Sequence, residues 1–298
     1  MPADLDATLP TAVFMGGNLL GDLLNTTPAI RTFRAHNPGT FIIYVVQDAD
    51  HCRVLDGNPD IDRVIYSSAL LERGRYSADE SWLRAIGVTD PRRAVVRHFD
   101  LEALHRPGPA VFRDHMSRGF ARLVGIQIDT TRPVVSVSVD EGATARSFVP
   151  GPAILFGMNS TSPVLGHDGR MALKDWVFDR WLQLAQLAHD QWGYEIVALG
   201  GQSERAVASR HLRNLYGLPI KVVAALLQQA ACVVTIDSGL SHLSHAVDAP
   251  MVLLCSRDVP VEWVYPHEAT RCRVLHDDMR AIQASEVMAA MRSILSGG

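Results

Sequence analysis

The chain has 298 residues, 47% of them hydrophobic, and a formal net charge of −4. That length exceeds the usual single domain and implies two domains with real cores; the charge argues against bulk nucleic-acid binding, and no apolar run reaches the length of a membrane span. Met1–Pro10 carries two Asp and no basic residue, so neither a signal nor a transit peptide is expected and a cytoplasmic protein is the reading.

Thr11–Met15 reads as a short apolar strand, after which Gly16, Gly17 and Gly21 permit an unusual backbone path. Thr27-Pro28 predicts a helix start, with Thr as N-cap and Pro at the first helical position, running to about His36 and stopping near Asn37-Pro38-Gly39. Phe41–Val46 is an apolar, β-branched run expected as a buried parallel strand; Asn58-Pro59-Asp60 is a turn and Arg63–Tyr66 another strand. This alternation implies a parallel sheet covered on both faces. Over residues 67–130 only a helix at Arg113–Val124 is read; Pro133–Val139 alternates as a strand does, and Val149-Pro150-Gly151-Pro152 looks like an interdomain linker.

A second α/β series follows. Strands are predicted at Ala153–Phe156, Glu195–Leu199, Cys232–Ile236 and Met251–Cys255, and helices at Phe178–Trp192, Val223–Ala231, Leu240–Val247 and Ser285–Leu295. The first of these helices puts Trp181, Leu184, Ala185 and Ala188 on one face and ends at Gly193. The expectation is α/β: two Rossmann-like domains, 1–148 and 149–298, the terminal helix free to pack back on the first, with a site between them.

Two segments carry most of the chemistry. In Asp237-Ser238-Gly239-Leu240-Ser241-His242 a buried strand enters, Ser238 can cap, Gly239 admits a ligand close to the backbone, and the next amides with the helix dipole form an anion site to which Ser241 and His242 add donors. An ordinary capped helix would look the same. Gly21-Asp22 follows the first strand. An acid there repels phosphate and the glycine order is wrong for a dinucleotide fingerprint; Asp22 reads either as a helix-start stabiliser or as a general base at the cleft edge. Lys174, one of only two lysines with Lys221, stands before a helix and can neutralise a diphosphate leaving group. Glu204, beyond Gly200-Gly201, can hold ribose hydroxyls. Both also read as plain surface residues.

Other patterns count for less. Asp48-Ala49-Asp50 and Asp60-Ile61-Asp62 match the D-x-D of metal-dependent glycosyltransferases but sit beside turns, and no metal site is assigned; His98, His105 and His115 fit no zinc spacing. Cys52, Cys232, Cys255 and Cys272 are unpaired in spacing and read as buried reduced thiols. Between Arg84 and Arg122 lie eight Arg and three His against four acids: a solvated helical surface, or a patch for an anionic acceptor or a membrane surface.

Taken together, these segments resemble the bacterial ADP-heptose:lipopolysaccharide heptosyltransferase family (glycosyltransferase family 9, GT-B fold), nearly end to end. Gly21-Asp22 with Thr26-Thr27-Pro28-Ala29-Ile30 is similar to its G-D-x-x-x-x-x-P-A motif, Asn58–Ile65 to its N-P-x-I-D-x-V-I stretch, Lys174-Asp175-Trp176 to its K-x-W, and Asp237–Leu243 to its D-T-G-x-x-H-L. Arg257-Asp258-Val259-Pro260 and Trp263–Pro266 resemble its tail. The resemblance implies two Rossmann-like domains facing across a cleft and inverting, metal-independent transfer of heptose from ADP-heptose to a hydroxyl, with no cofactor. Asp22 would be the general base. Lys174 would bind the diphosphate with Asp237, Ser238, Gly239, Leu240, Ser241 and His242, Glu204 would hold ribose, and adenine would sit near Lys221, Val222 and Val223. The chain departs from the family in its shortened 67–130 region, in Met15-Gly16-Gly17 where a basic residue is usual, and in Ser238 for Thr. These departures bear on the acceptor: lipopolysaccharide core, or a small soluble molecule such as an aminocyclitol or a nucleoside. Another nucleotide sugar as donor, or a non-catalytic nucleotide-sugar-binding protein, are the alternatives.

Overall fold

A computed structural model of the chain describes residues 10–17, 19–68, 79–105, 113–160, 164–165, 171–172, 174–202, 204 and 206–296. The first nine residues and Arg106 of the basic stretch, which the sequence reading touches, lie outside the described residues. Two all-parallel sheets organise the chain. The first is built from β1 (Thr11–Gly16), β2 (Phe41–Val46), β3 (Arg63–Tyr66) and β4 (Ala94–Phe99) in the order β3-β2-β1-β4. After β5 (Ala153–Gly157), β6 (Val164–Leu165) and β7 (Met171–Ala172) form a small antiparallel pair. The second sheet adds β8 (Glu195–Gly200), β9 (Arg213–Tyr216), β10 (Cys232–Ile236), β11 (Met251–Ser256) and β12 (Cys272–Asp277), in the order β12-β11-β10-β5-β8-β9.

The central strands are apolar without interruption because they are covered on both faces. On β1 and β2, Ala12, Phe14, Ile42 and Tyr44 face one core, and Val13, Met15, Ile43 and Val45 face another with Leu83 and Val88. The first of these cores continues into the second half through Leu155, Val197, Val233 and Leu253; the opposite faces of those strands close on a third core with Phe156, Trp181, Leu184 and Val252.

The helices are α1 (Leu20–His36), α2 (Glu80–Ala85), α3 (Leu101–His105), α4 (Met116–Leu123), α5 (Val139–Phe148), α6 (Phe178–Trp192), α7 (Ile220–Gln229), α8 (Gly239–Ala246), α9 (Val261–Val264) and α10 (Ala284–Leu295). Helix α6 buries Trp181, Leu184, Ala185 and Ala188 as one stripe and stops at Gly193, whose φ of 68° is the left-handed C-cap. None of the described helices is long and apolar enough to cross a membrane.

Several elements differ from the sequence expectation. Helix α1 begins at Leu20, so Thr27 and Pro28 lie inside it, not at its start. An interior proline removes one backbone donor, at a typical cost of about 3 kcal/mol or more. Here the Thr27 hydroxyl donates to Leu24 O at 2.7 Å, filling the carbonyl that Pro28 cannot reach, and accepts from Val134 N at 2.8 Å. Pro133–Val139 is not a strand: Val134 instead ties to Thr27 and, through its carbonyl, to Asn58 Nδ2 at 3.2 Å, while Ser138 caps α5. Helix α10 packs on α6, β11 and β12 rather than returning to the first sheet, since Val287, Met288, Met291 and Ile294 complete the third core.

Candidate active site

The carboxyl ends of β1, β5, β8, β9 and β10 converge on one cavity of about 590 Å³, where open α/β sheets bind ligands. The first half contributes Leu19, Leu20, Gly21, Asp22, Asp50, His51, Leu101 and Met116. The second contributes Asn159, Ser160, Lys174, Gly200, Gly201, Gln202, Glu204, Gly217, Leu218, Ile220, Val223, Asp237, Ser238, Gly239, Leu240, His242 and Trp263.

Asp22 stands in the first turn of α1, 8% exposed, and its Oδ2 has no hydrogen-bond partner among the described residues. Burial pushes its carboxyl from 3.8 up to about 6; Lys174 opposes that shift and Asp237 adds to it. The glycines before it shape this turn. Gly16 has φ 124° and a Cβ there would lie 2.6 Å from Phe99 O, so no side chain fits where β1 passes β4.

Lys174 Nζ lies 2.7 Å from Asp237 Oδ2, both side chains largely buried. Trp176, two residues on, is buried with its Nε1 donating to Ile282 O at 2.9 Å, which anchors the segment carrying Lys174. Asp237 immediately follows β10, and the Gly239 and Leu240 amides beyond it belong to the first turn of α8, where a helix has no carbonyls of its own to pair them. Ser238 Oγ is buried beside them, without a hydrogen-bond partner among the described residues. Ser241, expected to add a ligand donor, instead donates to Ser238 O at 2.7 Å and stays within the helix start.

The two halves touch at the cavity floor. A Cβ on Gly21 would come within 2.8 Å of His242 Cδ2, and one on Gly239 within 2.9 Å of Leu20 Cβ. His242 Nε2 is 3.9 Å from Asp237 Oδ1. Burial pulls the His242 imidazole down to about 4 against the pull of Asp237, with Lys174 and His245 adding to the lowering.

Glu204 turns back over the end of β8: Gly201 N donates to its Oε1 at 2.8 Å and Asn159 Nδ2 to its Oε2. Asn159 was not read from the sequence, which offers only its place just past a strand. Lys221 and Val222 do not line the cavity. Lys221 Nζ donates to Asp56 O at 2.6 Å and lies 3.7 Å from Glu141, so it joins α7 to the first half, and Val222 is part of the main core. Ile220 and Val223, one position to either side of that pair, are the α7 residues at the cavity wall.

Of the D-x-D segments, Asp48 pairs with Arg53, Asp60 with Arg31 and Asp62 with Arg34; Asp50 is the member that reaches the cavity. Arg84 and Arg92 pair with Glu80, and Arg118 and Arg122 with Asp114, so part of the basic stretch is neutralised locally.

The sequence matches the family model described as glycosyltransferase family 9 (heptosyltransferase) over residues 83–285. The chain belongs to that family. No curated protein matches it. Among solved structures, the family 9 glycosyl transferase from Veillonella parvula is similar over 99% of both chains at 18% identity with a TM-score of 0.74. The Escherichia coli ADP-heptose lipopolysaccharide heptosyltransferase II is similar over 96% of this chain and 99% of that one at 19% identity, TM-score 0.72. The E. coli iron-containing dodecameric glycosyltransferase TibC covers 97% of this chain and 77% of its own at 15% identity, TM-score 0.63. At such identities the likeness establishes the fold: GT-B, with two parallel-sheet halves facing across the cavity. Among the described residues of this glycosyltransferase, no group of three or more His, Cys, Asp or Glu side chains is placed to hold a metal. Burial pushes the Cys52 thiol up to about 11 and the Cys232, Cys255 and Cys272 thiols up to about 12.

Proposed function

We propose that this glycosyltransferase moves heptose from ADP-heptose to a hydroxyl acceptor with inversion, the first half (1–148) taking the acceptor and the second (149–298) the donor. One observation carries the reading: a buried carboxylate, Asp22, with one oxygen unpartnered among the described residues, shares its cavity with the Lys174–Asp237 pair and the start of α8. Asp22 takes the proton of the acceptor hydroxyl as its oxygen attacks the anomeric carbon. The bond from that carbon to the diphosphate oxygen breaks, and its electron pair leaves with ADP. Base assistance of this kind is typically worth about 10²–10⁴ in rate. Lys174 exchanges Asp237 for the diphosphate, and the first amides of α8 complete the field that stabilises the leaving charge. Glu204 accepts from the ribose hydroxyls, with Ile220 and Val223 beside the base. The donor named in the heptosyltransferase II description supports ADP-heptose here. Leu101 and Met116 of the first half, with Trp263 of the second, make one wall of the cavity apolar, and the acceptor it faces is either lipopolysaccharide core or a compact soluble molecule such as an aminocyclitol or nucleoside.

Melting curves with ADP, GDP and UDP, on wild type and Lys174→Ala, test the donor. A ligand at about 100 times its Kd adds roughly 2.7 kcal/mol. Stabilisation by ADP, lost in the variant, is expected. Stabilisation by GDP or UDP alone would overturn the donor assignment.

A further inference from the structure

Asn25 is wholly buried on α1, three residues past Asp22 and therefore on the same face. Its Nδ2 donates to Gly21 O at 2.8 Å and lies 3.1 Å from His242 Nδ1. Its Oδ1 accepts from Ser117 Oγ at 2.7 Å, and Ser117 Oγ also lies 3.3 Å from Thr131 O. A backbone carbonyl only accepts, so Gly21 O fixes which end of the carboxamide carries hydrogens. The second Nδ2 hydrogen then faces His242, whose Nδ1 has to accept it. The imidazole proton is left on Nε2, the nitrogen on the Asp237 side.

We propose that Asn25 is a positioning residue for sugar transfer: from the first half of the chain it fixes His242 of the second half as the Nε2–H tautomer, aimed at Asp237. The geometry stands alone; its link to transfer rests on the function proposed above. It gives the site what the Lys174 exchange demands. When Lys174 turns from Asp237 to a diphosphate, a neutral N–H remains beside the Asp237 carboxylate to hold it. An imidazolium could not take this place without setting its Nδ1–H against the Asn25 N–H. The charged and titratable groups facing this ring are Asp237, Lys174, His245 from the next turn of α8 and His115 across the junction.

The test is nitrogen NMR on the full-length protein labelled at histidine, with His242 assigned by its loss in His242→Gln. At pH 7 the expected wild-type spectrum shows Nε2 protonated and Nδ1 bare. In Asn25→Asp, close in shape, the new carboxylate accepts from Nδ1, so the proton moves to Nδ1 or the ring becomes doubly protonated. Transfer by that variant should fall roughly 10–100-fold in kcat, the range for a misplaced group, with donor KM near wild type and an added pH dependence as the ring titrates. Asn25→Gln, which retains the amide chemistry on a longer arm, should restore the Nε2–H signal in part. A wild-type His242 protonated on Nδ1 overturns the proposal. So does an Asn25→Asp protein that is folded, shows the changed tautomer and transfers like wild type at every pH. The tautomer is read without substrate, so a wild type with the expected spectrum but no transfer counts against the proposed function and not against the geometry.

Discussion

Replacing Asp22 with asparagine should make the protein more stable and nearly inactive, and the gain in stability should depend on pH. Raising a carboxyl from 3.8 to about 6 disfavours its ionised form in the folded chain by about 3 kcal/mol. The folded value lies above the unfolded one, so stability from this group is fully present below pH 3.8 and is lost as pH rises through about 6. The side chain of Asp22→Asn never ionises and escapes that loss. Its amide has no partner where Oδ2 now stands, and an unpaired buried donor costs about 1–2 kcal/mol. The net gain at pH 8 is therefore about 1–2 kcal/mol, or roughly 2–3 °C in Tm for a chain of this size. At pH 4 the variant should be no more stable than wild type. Melting both proteins from pH 4 to pH 8, with transfer measured in parallel, checks the argument. Transfer should fall by about 10²–10⁴. A Tm gap that is the same at both ends of the pH range would show that Asp22 does not carry a strained charge, and near-normal transfer would remove it as the base.

Lys174→Ala should raise the donor KM and also move the acid limb of kcat/KM above pH 6, because Lys174 is the group that holds the Asp22 carboxyl down; a pH profile decides it. Gly21→Ala should push the His242 ring aside, given the 2.8 Å approach to Cδ2. Overpacking of this kind costs about 1–3 kcal/mol, and activity should drop more than stability, read by kcat against Tm. Lys221→Met should lose about 1–2 kcal/mol with the bond to Asp56 O while leaving ADP affinity within about twofold by calorimetry; a tenfold loss of ADP affinity would return Lys221 to the donor site.

The elements legible to the residue in the sequence are β2, β3, β10 and α6. Three of these are strongly apolar runs or stripes with sharp ends, and the fourth, β3, is announced by the Asn58-Pro59-Asp60 turn. Of the two large sheets, the strands that the sequence does not announce, β4, β9 and β12, all lie at the edges. Edge positions tolerate Arg, His and Asn, as in Arg97-His98 and Arg213-Asn214, and so lose the alternation that marks a strand. Pro28 misled because an N-terminal proline and a compensated interior one look alike in one dimension; only the Thr27 bond to Leu24 O tells them apart. That Asp22, Lys174, Glu204, Asp237, Ser238, Gly239, Leu240 and His242 share one cavity is legible because each stands near the end of a strand or the start of a helix. The roles of Asn25 and Asn159 are not, since they depend on partners far away in sequence. The family resemblance places Lys221 with the donor, but its ammonium bonds Asp56, a residue of the other half, and faces away from the cavity.

The meeting of α1 and α8 bears on how modular such an enzyme can be. His242 lies on Gly21, Leu20 lies on Gly239, and Asn25 reaches across to His242, all within the first two turns of the two helices. A family that diversifies by recombining one half with another would have to carry these residues over as a matched set. A chimera that joins this first half to a second half lacking a glycine opposite Leu20, or this second half to a first half with a larger residue opposite His242, would inherit a joint that does not close. New specificities should therefore arise in the cavity walls, at Asp50, Leu101, Met116 and their neighbours, while the junction beneath them stays fixed.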